Sequence, residues 1–122
     1  MSEVLEKGKL AKQASFRLNQ QSTKEKNEAL ELIAQQLIID QQGIIQENEK
    51  DIVAGKEKGL SPSVLDRILL TEDRIQGIVD GIRLVISLPD PVGECLEKID
   101  KENGLHIEKR RVPLGVIGMI YE

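Results

Sequence analysis

Aromatic residues are almost missing from this chain of 122 residues: Phe16 and Tyr121 make up its 2%, and tryptophan is absent. Base-stacking platforms and aromatic sugar-binding faces have nothing to be built from. Cysteine is as scarce, and the single Cys95 excludes an internal disulfide, which points to a reducing, cytoplasmic setting. Nor is there an excess of positive charge. Seventeen basic residues face 21 acidic ones, a net charge of -4 with a pI near 5.1, so neither nucleic acid nor an anionic membrane is an expected partner. No run reaches the roughly 18 apolar residues of a membrane span, and the opening MSEVLEKGKLAKQ lacks the apolar core of a signal peptide. The only histidine, His106, has no second His or Cys at ligand spacing, so no metal site is expected.

What is present is aliphatic. The 39% hydrophobic residues suffice for one domain with a packed core, and over residues 1–88 they recur with helical period. Val4, Ala11, Ala14 and Leu18 share one face of a first helix. Ser22 with Glu25 has the form of a capping box that opens a second. There Leu30, Ile33, Ala34, Leu37 and Ile38 follow the i, i+3, i+4, i+7, i+8 template. A third helix, bent or freshly started around Gly43, carries Ile44, Ile45, Ile52 and Val53 and is predicted to end near Gly59. Ser61 before Pro62 starts a short fourth helix. Thr71, with Glu72 and Asp73 behind it, caps a fifth, whose stripe is Ile75, Ile78, Val79, Ile82, Val85 and Ile86.

The segment LPDPVG at 88–93 ends the helical pattern, since each proline pushes its predecessor out of helical geometry. A hairpin is predicted next, turning at DKENG, where Asn103-Gly104 can take positive φ. Leu105 and Ile107 then alternate with His106 and Glu108. After Pro113, the run VIGMI has no polar face, as in a parallel strand covered on both sides. The fold class is therefore α/β, organised as a helical layer at 1–88, a hairpin arm at 89–113 and, at 114–122, the first strand of a parallel sheet whose further strands the chain does not supply.

The candidate chemistry is thin. Gly115-x-x-Gly118 lacks the full dinucleotide fingerprint and reads as close backbone packing at a strand. Cys95 has no histidine beside it and no helix N-terminus to stabilise a thiolate, so it reads as inert. Within EKRR, alternation sends Lys109 and Arg111 to one face and Glu108 and Arg110 to the other, the pattern of a solvated or subunit-facing strand. No catalytic set assembles from these residues.

A resemblance adds to this reading. AKQAS at 11–15, STKEKN at 22–27, NEKDI at 48–52, GLSPSVLDRILLT at 59–71, LPDPVG at 88–93 and RRVPLGVIGMIYE at 110–122 stand in the order and spacing of the gamma-glutamyl phosphate reductases, which are also called glutamate-5-semialdehyde dehydrogenases. The chain resembles the N-terminal portion of that family, in the aldehyde dehydrogenase superfamily. The resemblance implies an NADPH-dependent reduction of gamma-glutamyl phosphate in cytoplasmic proline biosynthesis, with a cysteine nucleophile in a later domain that Cys95 does not match. It implies that residues 93–113 pack against another subunit of a homo-oligomer. It places Ile120, Tyr121 and Glu122, at the end of the first strand of an incomplete Rossmann-like sheet, beside the dinucleotide, and leaves this chain inactive alone. The alternatives are a non-catalytic assembly module and a piece of another aldehyde dehydrogenase relative.

Overall fold

The computed structural model describes residues 2–121, which form two compact units: 27–88, and 2–26 together with 89–121. Five helices precede one hairpin: α1 (Glu3–Leu18), α2 (Thr23–Ile39), α3 (Gln41–Glu57), α4 (Pro62–Ile68), α5 (Glu72–Ser87), then β1 (Cys95–Asp100) and β2 (His106–Arg110).

The unit 27–88 is a layer of helices whose boundaries are set by local chemistry. Asp40 is the single residue between α2 and α3, so the third helix is a fresh start rather than a bend. At the far end of α3, Gly59 adopts φ +74, its N–H reaches the Lys56 carbonyl and the Leu60 N–H reaches Gly55, both at 3.0 Å. That is a Schellman closure, and a side chain at Gly59 would be strained. Ser61, held extended by the proline after it, caps α4 through its hydroxyl, and Thr71 caps α5 by accepting from the Arg74 N–H at 3.2 Å. Leu88, before Pro89, is likewise extended and ends α5.

Packing selects one edge of each predicted stripe. On α5, Ile75 and Val79 are fully buried and Ile82 and Ile86 half-buried, while Ile78 and Val85 stay exposed. On α2, Ala34 is buried and Leu30 and Leu37 half-buried, whereas Ile33 and Ile38 face outward. The α2 and α5 helices run antiparallel, tied by Asn27 to the Ile86 carbonyl and by Arg83 to Glu31 at 3.0 Å. The guanidinium bond lowers the Glu31 carboxyl below its ordinary value. Between α3 and α4, Gly55 admits the Leu65 and Leu60 side chains so closely that a Cβ would lie 2.9 Å from Leu65.

Buried Asn48 ties the irregular joint between α4 and α5. Its Nδ2 donates to the Ile68 carbonyl and its Oδ1 accepts from the Leu70 N–H, each at 2.7 Å. Arg74 closes the same joint from outside, donating to the Leu69 carbonyl at 2.9 Å and to the Asp66 carboxylate at 2.8 Å.

In the unit 2–26 with 89–121, Ser22 and Glu25 form the predicted capping box: Ser22 N–H to Glu25 Oε2 at 2.8 Å, Glu25 N–H to Ser22 Oγ at 3.1 Å. The first turn of α2 also holds the LPDPVG segment. Thr23 donates to Asp90 at 2.8 Å, Lys26 pairs with the same carboxylate, and the Val92 N–H donates to it at 3.0 Å. The Lys26 bond, then that of Val92 and that of Thr23, hold the Asp90 carboxyl down to about 2.

Two expectations are corrected here. The apolar face predicted for α1 is not buried: Val4 and Leu18 are exposed, and only Ser15 is covered, its hydroxyl donating to the Lys12 carbonyl. A helical stripe states what must be covered, and no described residue covers this one. The hairpin turn, in turn, uses one positive φ, at Gly104 (+87), and none at Asn103. Gly104 N–H to Lys101 O and Lys101 N–H to Leu105 O, both 2.9 Å, give a three-residue loop ending in a left-handed glycine.

The β1–β2 ladder is antiparallel, with Ile99 opposite Ile107 and Lys98 opposite Glu108, and it is interrupted by a bulge at Leu96. Beyond Arg111 the chain to 121 has no ladder hydrogen bonds and no strand assignment. The stretch expected as a parallel strand therefore has no partner among the described residues, as befits a run whose pairing edges need a neighbour.

Candidate functional site

The residues expected beside a dinucleotide lie in this unpaired stretch. Ile120 is 95% exposed and Tyr121 86% exposed, and the Tyr121 hydroxyl donates only to Met119 Sδ, at 3.3 Å. Glu122 lies outside the described residues. Ile120 and Tyr121 offer an apolar and phenolic surface, which suits the flank of a dinucleotide but supplies no donor set for its pyrophosphate. Upstream, Gly115 and Val116 stand across an open, largely apolar groove from Ala11, Ala14 and Leu18 of α1. Gly115 has φ +93, and a Cβ on it or on Gly118 would meet nothing within 4 Å. Backbone geometry at Gly115, and not the close packing expected, is what requires glycine there.

The hairpin distributes its charges as alternation predicts. One face carries Lys98, Asp100, His106, Glu108 and Arg110, paired among themselves: Asp100 with His106 at 2.5 Å, Glu108 with Arg110 at 2.5 Å and with Lys98 at 3.6 Å. Arg110 bonding lowers the Glu108 carboxyl and raises the guanidinium. Arg110 also donates to the Gly93 carbonyl at 3.0 Å, and Arg111 pairs with Glu94 at 2.9 Å. Both arginines of the basic cluster thus spend their charge inside the hairpin, which leaves them poorly suited to hold an anion. Cys95 is opposite Arg110, whereas His106 is opposite Asp100 at the other end of the ladder, so the two do not form a nucleophile and base pair. Among the described residues no group of three or more His, Cys, Asp or Glu could hold a metal ion, and no helix is long and apolar enough to cross a membrane.

Asn48 and Asp90 were not singled out as organising residues by sequence reasoning. Only the fold brings Asn48 to residues 68 and 70, or Asp90 to Thr23 and Lys26. A proline on either side of Asp90 was the one available signal, since an Asx turn there needs a side-chain acceptor.

A layer of helices followed by an antiparallel hairpin arm is, at this class level, the N-terminal part of an α/β aldehyde dehydrogenase-like fold. The structure matches the gamma-glutamyl phosphate reductase of Thermotoga maritima with a TM-score of 0.90 and 37% identity, covering 92% of this chain and 27% of that one. It matches the Saccharomyces cerevisiae enzyme of the same name with a TM-score of 0.80 and 29% identity, covering 88% and 28%. In sequence it is 56% identical to the gamma-glutamyl phosphate reductases of Anoxybacillus flavithermus and Bacillus subtilis over all 122 residues, which are 30% and 29% of those proteins. No protein-family profile matches. Over its whole length the chain is similar to the gamma-glutamyl phosphate reductases, and it spans about three tenths of the length of the relatives it matches.

Proposed function

We propose that this chain is the N-terminal part of an NADPH-dependent glutamate-5-semialdehyde dehydrogenase, which reduces gamma-glutamyl phosphate to glutamate-5-semialdehyde in proline biosynthesis, and that it has no reductase activity alone. The observation that carries this is identity of 56% or more to named reductases across all 122 residues. In this reading α1 to α5 form the helical layer of the cofactor-binding domain, residues 93–113 are the arm through which the enzyme self-associates, and 114–122 enter the cofactor sheet as its first strand. Ile120, Tyr121 and Glu122 then line one side of the dinucleotide, and the phosphate-binding donors come from chain outside these residues. NADPH supplies the hydride, and a cysteine other than Cys95 is the nucleophile. The setting is cytoplasmic.

The test is NADPH oxidation with gamma-glutamyl phosphate. The 122-residue protein should show none, and a chain joining it to the remaining part of a Bacillus reductase should be active. Turnover by the 122 residues alone, or an inactive but folded fusion, would overturn the proposal. The exposed run from Val112 to Tyr121 supports a second reading, an assembly module that binds a separate polypeptide. That reading expects the same chain to restore activity when added unlinked to the remaining part.

A further inference from the structure

We propose that Asn103 is a site of spontaneous deamidation, a chemical clock at the hairpin tip that no other asparagine of the chain shares. Asn103 and Gly104 are both exposed, and the Asn103 carboxamide is folded back over the turn: its Oδ1 accepts from the Leu105 N–H at 3.1 Å. That bond keeps the carboxamide turned toward the chain that follows it and polarises the Cγ carbonyl, as a single oxyanion donor would. Gly104 has no Cβ to shield its nitrogen. One bond, Gly104 N–H to Lys101 O at 2.9 Å, has to open before attack, and at an exposed loop tip such opening costs little.

The step is balanced with water alone. The Gly104 nitrogen gives up its proton to hydroxide and forms a bond to Asn103 Cγ. The carboxamide C–N bond breaks, and its nitrogen leaves as ammonia after taking a proton. Water then opens the resulting succinimide at either carbonyl to give aspartate or isoaspartate. Nothing is oxidised or reduced. Aspartate preserves the turn, because its carboxylate can still accept from Leu105. Isoaspartate routes the backbone through Cβ and adds one atom between 103 and 104, which is incompatible with the paired Lys101 bonds that close the loop.

The other three asparagines of the sequence are held differently. Asn27 and Asn48 lie within α2 and α3, and Asn19 is the helical C-cap of α1. Each is followed by a residue whose Cβ shields the nitrogen that would attack: Gln20, Glu28 and Glu49. Both amide atoms of Asn48 are bonded besides.

Purified protein incubated at mildly alkaline pH in heavy-oxygen water, followed by peptide mapping, tests this. Labelled isoaspartate and aspartate should accumulate at position 103 at least about tenfold faster than at 19, 27 or 48, equivalent to a barrier lower by about 1.4 kcal/mol. Gly104→Ala should slow the reaction by a similar factor. Its Cβ shields the nitrogen in folded and unfolded chain alike, so the result holds whether or not the variant keeps its turn. A rate at Asn103 no greater than at the helical asparagines, or aspartate formed without isoaspartate, would overturn the proposal.

Discussion

Residues 27–88 and residues 89–121 are opposite solutions to the placing of apolar side chains. The first stretch buries a compact set, Ala34, Ile75 and Val79, and satisfies its one irregular joint from inside with Asn48. The second is ordered by polar local chemistry: an Asx turn at Asp90, a glycine-ended hairpin loop and a ladder of polar side-chain pairs. Its largest apolar groups, from Leu114 to Tyr121, are left bare. A helical layer can close on itself because its hydrogen bonds are internal, whereas an extended apolar run needs both a pairing neighbour and a covering face. The relatives it matches are more than three times as long.

The sharpest way to break this comparison is to shorten side chains in both stretches. Ile75→Ala should destabilise the protein by about 2–5 kcal/mol, the usual cost of emptying a fully buried aliphatic site. Ile120→Ala should stay within about 0.5 kcal/mol, as surface changes do. Urea unfolding of the full chain followed by circular dichroism measures both. A loss at Ile120 equal to that at Ile75 would show that 114–121 is packed in solution.

A smaller effect is expected from the buried amide. Asn48→Ala leaves the Ile68 carbonyl and the Leu70 N–H without their partner, at a cost of about 2 kcal/mol. Asn48→Asp retains the acceptor for Leu70 but points a carboxylate at the Ile68 carbonyl, so it should be at least as damaging as alanine. If alanine is tolerated without loss, water satisfies the joint and the helical unit is less closed than its geometry implies.

The sequence shows unevenly how much of this to expect. Helix starts were legible wherever capping is local, at Ser22, Ser61 and Thr71, because cap and capped amide lie within three residues. The stripes were legible as stripes, but not which edge would be buried: Ile75 and Ile78 look alike in sequence, and only packing separates them. The hairpin and its charge alternation followed from period 2, whereas the detail of its turn did not, since Asn-Gly permits several loop types and the structure uses one positive φ. The candidate cofactor residues were reached through resemblance alone. Nothing local in VIGMIYE distinguishes a strand beside a ligand from any other apolar strand.

The subtlest test is of the polar ordering in the second region. Asp90 is held at about 2 against an ordinary value of 3.8, with Lys26, Val92 and Thr23 all favouring its charged form. A carboxyl whose pKa is depressed by folding stabilises the native state fully above the unfolded value. It loses that contribution as pH falls through the folded one. The window is therefore from about pH 4 down to about pH 2. The stability difference between the unaltered chain and Asp90→Asn should be constant above this window and shrink within it. Nuclear magnetic resonance of the Val92 amide, whose proton is bonded to this carboxylate, should titrate with a midpoint near 2. Lys26→Met, which removes the largest stabilising partner, should move that midpoint up toward 3.8. A midpoint already at the ordinary value in the unaltered chain would mean that the tie between the first turn of α2 and LPDPVG is open in solution.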